Sequence, residues 1–181
     1  FYTVFGFPLG RLSDRVGRKP VIAFSCMAWS LMTMLCGMAG NFLTLVLARI
    51  GVAVGEAGGT APSVAMVSDL YPPERRSTAL ACLMLGSSLG AIVGLGLGGW
   101  VAQHHGWRYA FILIGAPGIL LGLVLLLTVR APKRAVPLSN TALQTEGWMQ
   151  TLVELFRMPS FLWLVLTGGG EANAGYAVGT W

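Results

Sequence analysis

The segment that decides the fold is residues 10–19, GRLSDRVGRK, which lies between two apolar stretches. Gly10 and Gly17 flank Asp14, and basic residues occupy most of the remaining positions. Gly10 permits the close approach of another helix, Gly17 permits a tight turn, and Asp14 can place negative charge at a neighbouring helix N-terminus. We therefore expect a turn between two helices, held by ionic contacts to its surroundings.

Long apolar runs surround this segment on both sides. The chain has 181 residues, of which 55% are hydrophobic and 10% are charged, whereas soluble proteins carry about 25% charged residues. A helix that crosses a bilayer needs about 20 mostly apolar residues. After an apolar tail at residues 1–12, five such runs follow, at residues 20–40, 42–68, 77–101, 109–129 and 160–181. The chain is predicted to be an all-α membrane protein with several spans.

The basic residues indicate how the chain is oriented in the membrane. Ten of the twelve fall on alternate connections, namely Arg11, Arg15, Arg18, Lys19, Arg75, Arg76, Arg130, Lys133, Arg134 and Arg157. Basic loops face the cytoplasm in multi-span proteins, so residues 13–19, 69–76 and 130–159 are predicted to be cytoplasmic. The net charge of +5 does not indicate nucleic-acid binding, because these residues form no basic face interleaved with aromatic side chains.

The longest connection, residues 130–159, is predicted to separate two parts of the protein. Its second half carries Trp148, Leu152 and Phe156 at helical spacing. This pattern is typical of an amphipathic helix on the membrane surface, and equally of a helix that packs against a soluble part of the protein. The predicted organisation is residues 1–129 in one bundle, residues 130–159 as the cytoplasmic connection, and residues 160–181 as the first span of a second bundle.

The spacing within residues 10–19 resembles the signature between the second and third spans of the major facilitator superfamily. That resemblance implies a cytoplasmic gate that stabilises one transport state. Its expected members are Gly10, Asp14, Arg15, Gly17, Arg18 and Lys19, with Asp69 as a partner for Arg15 or Arg18. The alternative is a basic loop that only sets the topology, which would leave the spacing of Asp14 and Gly17 unexplained.

Two charged residues share the run 42–68. Arg49 and Glu56 are seven residues apart, so they project from one helix face about 10 Å apart along its axis. Charged groups inside a span are costly and usually face a cavity. A carboxyl group near a guanidinium in such a place can load and release a proton, which a proton-coupled carrier requires. A static ion pair is the alternative, and Arg49 is equally suited to tuning Glu56 or to binding an anion.

The last run holds a further group of polar residues. Glu171 follows the triple glycine at residues 168–170 and precedes Asn173 and Tyr176. Irregular backbone beside polar groups at membrane depth indicates a cavity lining, so these three side chains are predicted to line the substrate cavity. The alternative is a glycine-rich packing face on which Glu171 lies near the outer surface.

Other patterns in the chain indicate packing rather than chemistry. Gly86, Gly90, Gly94 and Gly98 recur at every fourth position, which predicts a smooth helix face for close packing. The three cysteines lie in apolar runs without pairing spacing and are predicted to be small hydrophobic residues. Because adjacent side chains diverge on a helix, His104 and His105 do not predict a metal site. No cofactor is expected.

Several strings resemble the spinster-like branch of the same superfamily. They are residues 49–57 (RIGVAVGEA), Pro62, Asp69, residues 106–111 (GWRYAF) and residues 174–181 (AGYAVGTW), with Ala53 where a glycine is more usual. The resemblance implies twelve spans in two six-helix halves, of which this chain would hold the end of the second span through most of the seventh. It also implies that Arg49 and Glu56 form a proton-coupling site with an acidic partner on the first span.

The resulting functional hypothesis is a monomeric, proton-coupled secondary transporter in the bacterial inner membrane. Its expected partners are membrane lipids, protons and a small amphiphilic substrate of the lysolipid or sphingolipid type, which the resemblance implies. The main alternative is a symporter of organic anions or sugar acids, and a remote one is a membrane scaffold or receptor that does not transport. The sequence offers no nucleophile–base pair and no metal-ligand cluster, so we do not expect an enzyme.

Overall fold

A computed structural model describes residues 1–129 and, further along, residues 156–161, Trp163 and Thr167. The chain divides into two compact units, Phe1–Lys133 and Arg134–Trp181. All elements assigned in the described part of the first unit are helices. They are α1 (Tyr2–Val16), α2 (Arg18–Gly37), α3 (Phe42–Ala57), α4 (Thr60–Leu70), α5 (Pro73–His105) and α6 (Trp107–Thr128).

The helices are long enough to confirm the predicted multi-span architecture. Four stretches can cross a membrane by length and composition, namely Arg18–Gly37, Phe42–Leu70, Pro73–His105 and Trp107–Thr128. They correspond to four of the five predicted apolar runs. The fifth run, at residues 160–181, and the predicted amphipathic helix before it lie largely outside the described residues. The chain is therefore an integral membrane protein that crosses the bilayer several times.

Two helix pairs are joined by a single glycine each. Gly17 separates α1 from α2 with φ of 108°, and Gly106 separates α5 from α6 with φ of 89°. Residues with a side chain rarely adopt this left-handed region, whereas glycine enters it without a steric penalty. Gly17 thus lies at the turn that its place in residues 10–19 predicts.

Helix α2 packs against α6 through a line of glycines on α6. A Cβ atom added at Gly115 would lie 2.8 Å from the carbonyl oxygen of Ser30, and one added at Gly122 would lie 3.0 Å from the carbonyl oxygen of Ala23. Between them, Gly118 leaves space for the Ser30 side chain. Because backbone atoms of α2 lie this close to Gly115 and Gly122, the two helix backbones approach more closely than larger residues would permit.

Helix α2 packs against α3 in the same way. Gly55 lies against the backbone of Trp29, with 2.7 Å between a built Cβ and the Trp29 nitrogen, and Gly51 lies against Met32. The start of α3 is fixed by a capping box, in which the Thr44 amide donates to Asn41 Oδ1 at 2.8 Å. Helix α2 is therefore held from two sides, and it is the centre of the described bundle.

The glycine stripe of α5 meets few atoms of the described residues. A Cβ added at Gly86, Gly90 or Gly94 would meet no atom within 4 Å among the described residues, and only Gly98 contacts α6, through Ile114. The spacing predicts a packing face, but here α5 turns most of this face away from α6. The close packing occurs instead on the glycines of α6, which face α2.

Two local contacts are described in the second unit. The rings of Phe156 and Phe161 meet edge to face, with centroids 5.7 Å apart. Thr167 Oγ1 donates to the carbonyl oxygen of Trp163 at 2.8 Å, which is the usual helical contact of a hydroxyl with the carbonyl four residues earlier.

Candidate functional site

The first candidate site is an ionic cluster where α2 begins. Arg18 donates hydrogen bonds to the carboxylate of Asp69, near the end of α4, and to the carbonyl oxygen of Ala65, in the middle of α4. Its guanidinium also lies 3.8 Å from the carboxylate of Asp14 on α1. Sequence reasoning offered Arg15 or Arg18 as the partner of Asp69, and the structure brings Arg18 there.

The Arg18 side chain, which joins three helices, is mostly shielded from solvent. The Arg18 side chain is 19% exposed and that of Asp69 is 36% exposed. Charge-assisted hydrogen bonds are stronger than neutral ones, and partial burial reduces the screening of the pair. The Nε of Arg18 is buried without a hydrogen-bond partner among the described residues. The loss of hydration of the guanidinium is therefore offset by the hydrogen bonds of its other nitrogens.

The remaining members of the predicted gate have different surroundings. Gly10 has no atom within 4 Å of a built Cβ among the described residues, so the predicted close helix approach is absent in this part of the chain. Its carbonyl oxygen instead accepts a hydrogen bond from Ser13 Oγ at 2.7 Å. Within residues 1–129, Arg15 and Lys19 make no ion pair, which leaves both available to lipid headgroups.

The second candidate site is a pair of charged side chains in α3. From Ala48 to Gly59 every residue is buried or half-buried except Arg49 and Glu56, which are exposed. The only two charged residues of this stretch therefore lie on the side of α3 that the other described helices leave uncovered. This is the face that their seven-residue spacing predicts.

The two charges do not neutralise each other. The Arg49 guanidinium lies 5.8 Å from the centre of the Phe111 ring on α6, within the range of a cation–π contact. In the described part of the chain the carboxylate of Glu56 makes neither a hydrogen bond nor an ion pair. The alternative of a static pair between Arg49 and Glu56 is therefore not what the structure contains.

A tight turn follows Glu56 and divides the predicted span 42–68 into α3 and α4. The amide of Gly59 donates to the carbonyl oxygen of Glu56 at 2.9 Å, which closes a turn of three residues. A Cβ at Gly59 would lie 2.7 Å from Cζ3 of Trp29, so the turn fits closely against α2. Sequence reasoning missed Trp29 here, although the Gly58–Gly59 pair is a signal for a turn.

A further polar contact lies beside this turn. The Tyr2 hydroxyl on α1 donates to Thr60 Oγ1 at 2.9 Å, and both residues are exposed. Sequence reasoning did not single out either residue, because a contact across 58 positions leaves no local pattern.

Glu171, Asn173 and Tyr176, the predicted cavity residues, lie outside the described residues. Within the described part, no group of three or more His, Cys, Asp or Glu side chains is arranged to hold a metal ion.

Closely packed helices that are long and apolar enough to cross a bilayer define a polytopic membrane protein. A family model described as Major Facilitator Superfamily matches residues 1–181. The chain belongs to this superfamily.

Individual relatives agree with this assignment. An MFS-type efflux pump of Mycolicibacterium smegmatis is 35% identical over 181 residues, which cover 99% of this chain and 41% of the relative. The probable galactarate/D-glucarate transporter of Bacillus subtilis is 32% identical over 139 residues, which cover 74% of this chain and 30% of the relative.

A solved structure confirms the predicted likeness to the spinster-like branch. It is the crystal structure of a bacterial homologue of the human lysosomal transporter Spinster, in an inward-facing and unoccupied conformation. The TM-score is 0.67 and the identity 34%, with 92% of this chain and 40% of that chain covered. The chain thus spans less than half the length of each of these relatives.

Proposed function

We propose that the protein containing this chain is a proton-coupled secondary transporter that moves an amphiphilic, lipid-like substrate by alternating access. The observation that carries the proposal is the exposure of Arg49 and Glu56 alone in an otherwise packed part of α3. Charged side chains at membrane depth are costly unless they face a water-filled cavity. A carboxyl group on that face without a fixed partner can exchange protons with the cavity.

The cluster at Arg18 supports the second requirement of alternating access, which is a gate. Arg18 connects α1 and α2 to α4 through Asp14, Ala65 and Asp69. A contact of this kind stabilises one arrangement of the helix ends and must break for another to form. The gate would lie on the cytoplasmic side, since the loops at residues 13–19 and 69–76 are rich in basic residues.

The proposed substrate class rests on the resemblance of this chain to the spinster-like branch, to which the solved structure of a bacterial Spinster homologue is also similar. That protein is named for its homology to the lysosomal transporter Spinster, and the spinster-like strings of this chain include Arg49 and Glu56. A bacterial inner membrane is supported by the bacterial origin of the relatives. Protons, the substrate and the surrounding lipids are the proposed partners.

A second candidate function is the symport of a sugar acid or another organic anion. It is supported by the relative named as a galactarate/D-glucarate transporter. The guanidinium of Arg49 is exposed on the same face as Glu56, and it is suited to hold a carboxylate.

The test is Glu56→Gln in the full-length protein reconstituted in proteoliposomes. We expect uptake driven by a pH gradient to fall at least about tenfold, because the amide cannot load a proton, while exchange of substrate at equal concentrations continues. Glu74→Gln is the control, since Glu74 is exposed in the first turn of α5. Proton-driven uptake that is equal in wild type and Glu56→Gln would remove Glu56 from the mechanism.

A further inference from the structure

We propose that Tyr2 and Thr60 form a pair that positions the polar headgroup of the substrate beside Glu56. This inference rests on the transport function proposed above. The two residues lie on α1 and α4, and the Tyr2 hydroxyl donates to Thr60 Oγ1 at 2.9 Å. The pair therefore brings a phenol and a second hydroxyl to the point where α4 begins.

Thr60 continues the exposed polar face of α3. It follows Glu56 by four residues and Arg49 by eleven, and at about 100° per residue these three positions lie within roughly 40° of one direction. The chain keeps right-handed helical backbone angles through the turn between α3 and α4, with φ and ψ of −83° and −3° at Gly58 and of −92° and −54° at Gly59. Arg49, Glu56 and Thr60 thus form an exposed polar stripe, about 16 Å long at 1.5 Å per residue.

The hydroxyl of Thr60 differs from five other helical hydroxyls in its hydrogen-bond partner. Five described hydroxyls donate to the carbonyl oxygen four residues earlier, namely those of Thr33, Ser68, Ser88, Thr128 and Thr167. Thr60 Oγ1 instead accepts from Tyr2, and its own proton has no acceptor within the described residues. Because Thr60 is exposed, an oxygen of a bound molecule can approach from the open side and accept this proton.

The chemistry of the pair defines what it binds. Tyr2 fixes the position of Thr60 Oγ1, and the Thr60 proton then points to an oxygen acceptor such as a phosphate or carboxylate. Arg49 adds a cation to the same stripe, which favours an anionic headgroup. A purely structural role for the bond is less suited to its place, because both residues are exposed and the net contribution of such a bond to stability is small.

The test measures half-saturation in the full-length protein, by exchange of substrate across proteoliposomes without a pH gradient. The probes are a lysophosphatidate and D-glucarate, which carry the phosphate and the carboxylate respectively. Thr60→Val removes the hydroxyl at nearly constant shape, Thr60→Ser retains it, and Tyr2→Phe removes the bond that positions it. Tyr109→Phe is the control, since Tyr109 is exposed on α6 and lies outside the stripe.

We expect Thr60→Val and Tyr2→Phe to raise the half-saturation concentration of one probe about tenfold, equivalent to about 1.4 kcal/mol, with the maximal rate nearly unchanged. Thr60→Ser and Tyr109→Phe should behave as wild type. The probe that responds identifies the headgroup as a phosphate or a sugar acid.

Three results would overturn the pair's role. An unchanged half-saturation concentration in Thr60→Val and Tyr2→Phe overturns the role of the pair. The proposed transport function would stand in that case, because the wild type still exchanges substrate. A lower maximal rate at unchanged half-saturation assigns the bond a structural role. Failure of the wild type to exchange either probe overturns the proposed transport function, and the pair's role with it.

Discussion

The guanidinium of Arg18 connects helices that are far apart in the sequence. It reaches Asp69 across 51 residues, and it also lies near Asp14 on the preceding helix. A single side chain therefore connects the start of α2 to α1 and α4. Its partial burial makes it more significant than an ion pair on an open surface.

A double-mutant cycle between Arg18 and Asp69 measures this contact. With each residue changed to alanine singly and together, we expect a coupling free energy of about 1–2 kcal/mol, because the pair is partly desolvated but Asp69 still touches solvent. The measurement is the free energy of unfolding of the full-length protein in mixed micelles. The same cycle between Arg18 and Glu74 should give a coupling near zero, and equal values in the two cycles would contradict the prediction.

At the residue scale, the sequence predicts which helix face a side chain occupies better than it predicts which residue that side chain contacts. The positions of Arg49 and Glu56 follow from helical periodicity, since residues seven apart share a face. The choice of Arg18 over Arg15 depends on how α2 and α4 pack, and no local pattern contains that information. Tyr2 and Thr60 were missed for the same reason, because their contact exists only once α1 and α4 are assembled.

At the scale of elements, the four described spans follow from their apolar length, because hydrocarbon requires continuous apolar helices. The glycines were harder to interpret. The stripe from Gly86 to Gly98 and the glycines of α6 both have spacing that permits close packing, but only those of α6 face a described backbone. Which smooth face meets a partner depends on tertiary arrangement, and periodicity alone cannot decide between them.

The two glycine faces lead to opposite expectations for substitution by alanine. At Gly115 and Gly122 the added Cβ would approach backbone atoms of α2 within 3.0 Å, so we expect a loss of about 1–3 kcal/mol in the free energy of unfolding. At Gly90 the space is open among the described residues, and the better helix propensity of alanine should leave stability unchanged or raise it by up to about 1 kcal/mol.

Unfolding of the full-length protein in mixed micelles, followed by circular dichroism, separates the two faces. The prediction is contradicted if Gly90→Ala loses as much stability as Gly115→Ala. It is also contradicted if Gly115→Ala and Gly122→Ala unfold as the wild type does.

At the scale of the whole molecule, the orientation in the membrane can be tested at the two ends of α5. This helix has 33 residues and is about 50 Å long at 1.5 Å per residue, which exceeds the roughly 30 Å of a hydrocarbon core. Glu74 and Gln103 are both exposed near its ends. The basic residues predict that Glu74 lies in the cytoplasm and that Gln103 lies outside.

Thiol labelling of intact cells checks this orientation. In a variant whose native cysteines are replaced by alanine, Gln103→Cys should react with a membrane-impermeant maleimide, whereas Glu74→Cys should react only after the cells are broken. The reverse pattern would invert the predicted topology. It would also place the Arg18 cluster on the outer side.

The single-glycine turns at Gly17 and Gly106 have a consequence for mechanics. A flexible loop would allow one helix to slide or tilt while its neighbour stays still, but a one-residue hinge provides no slack. Any tilt of α1 must therefore pull on α2, and any tilt of α5 must pull on α6. A peptide tag inserted at either glycine would uncouple these paired movements, so tags for following the protein belong elsewhere.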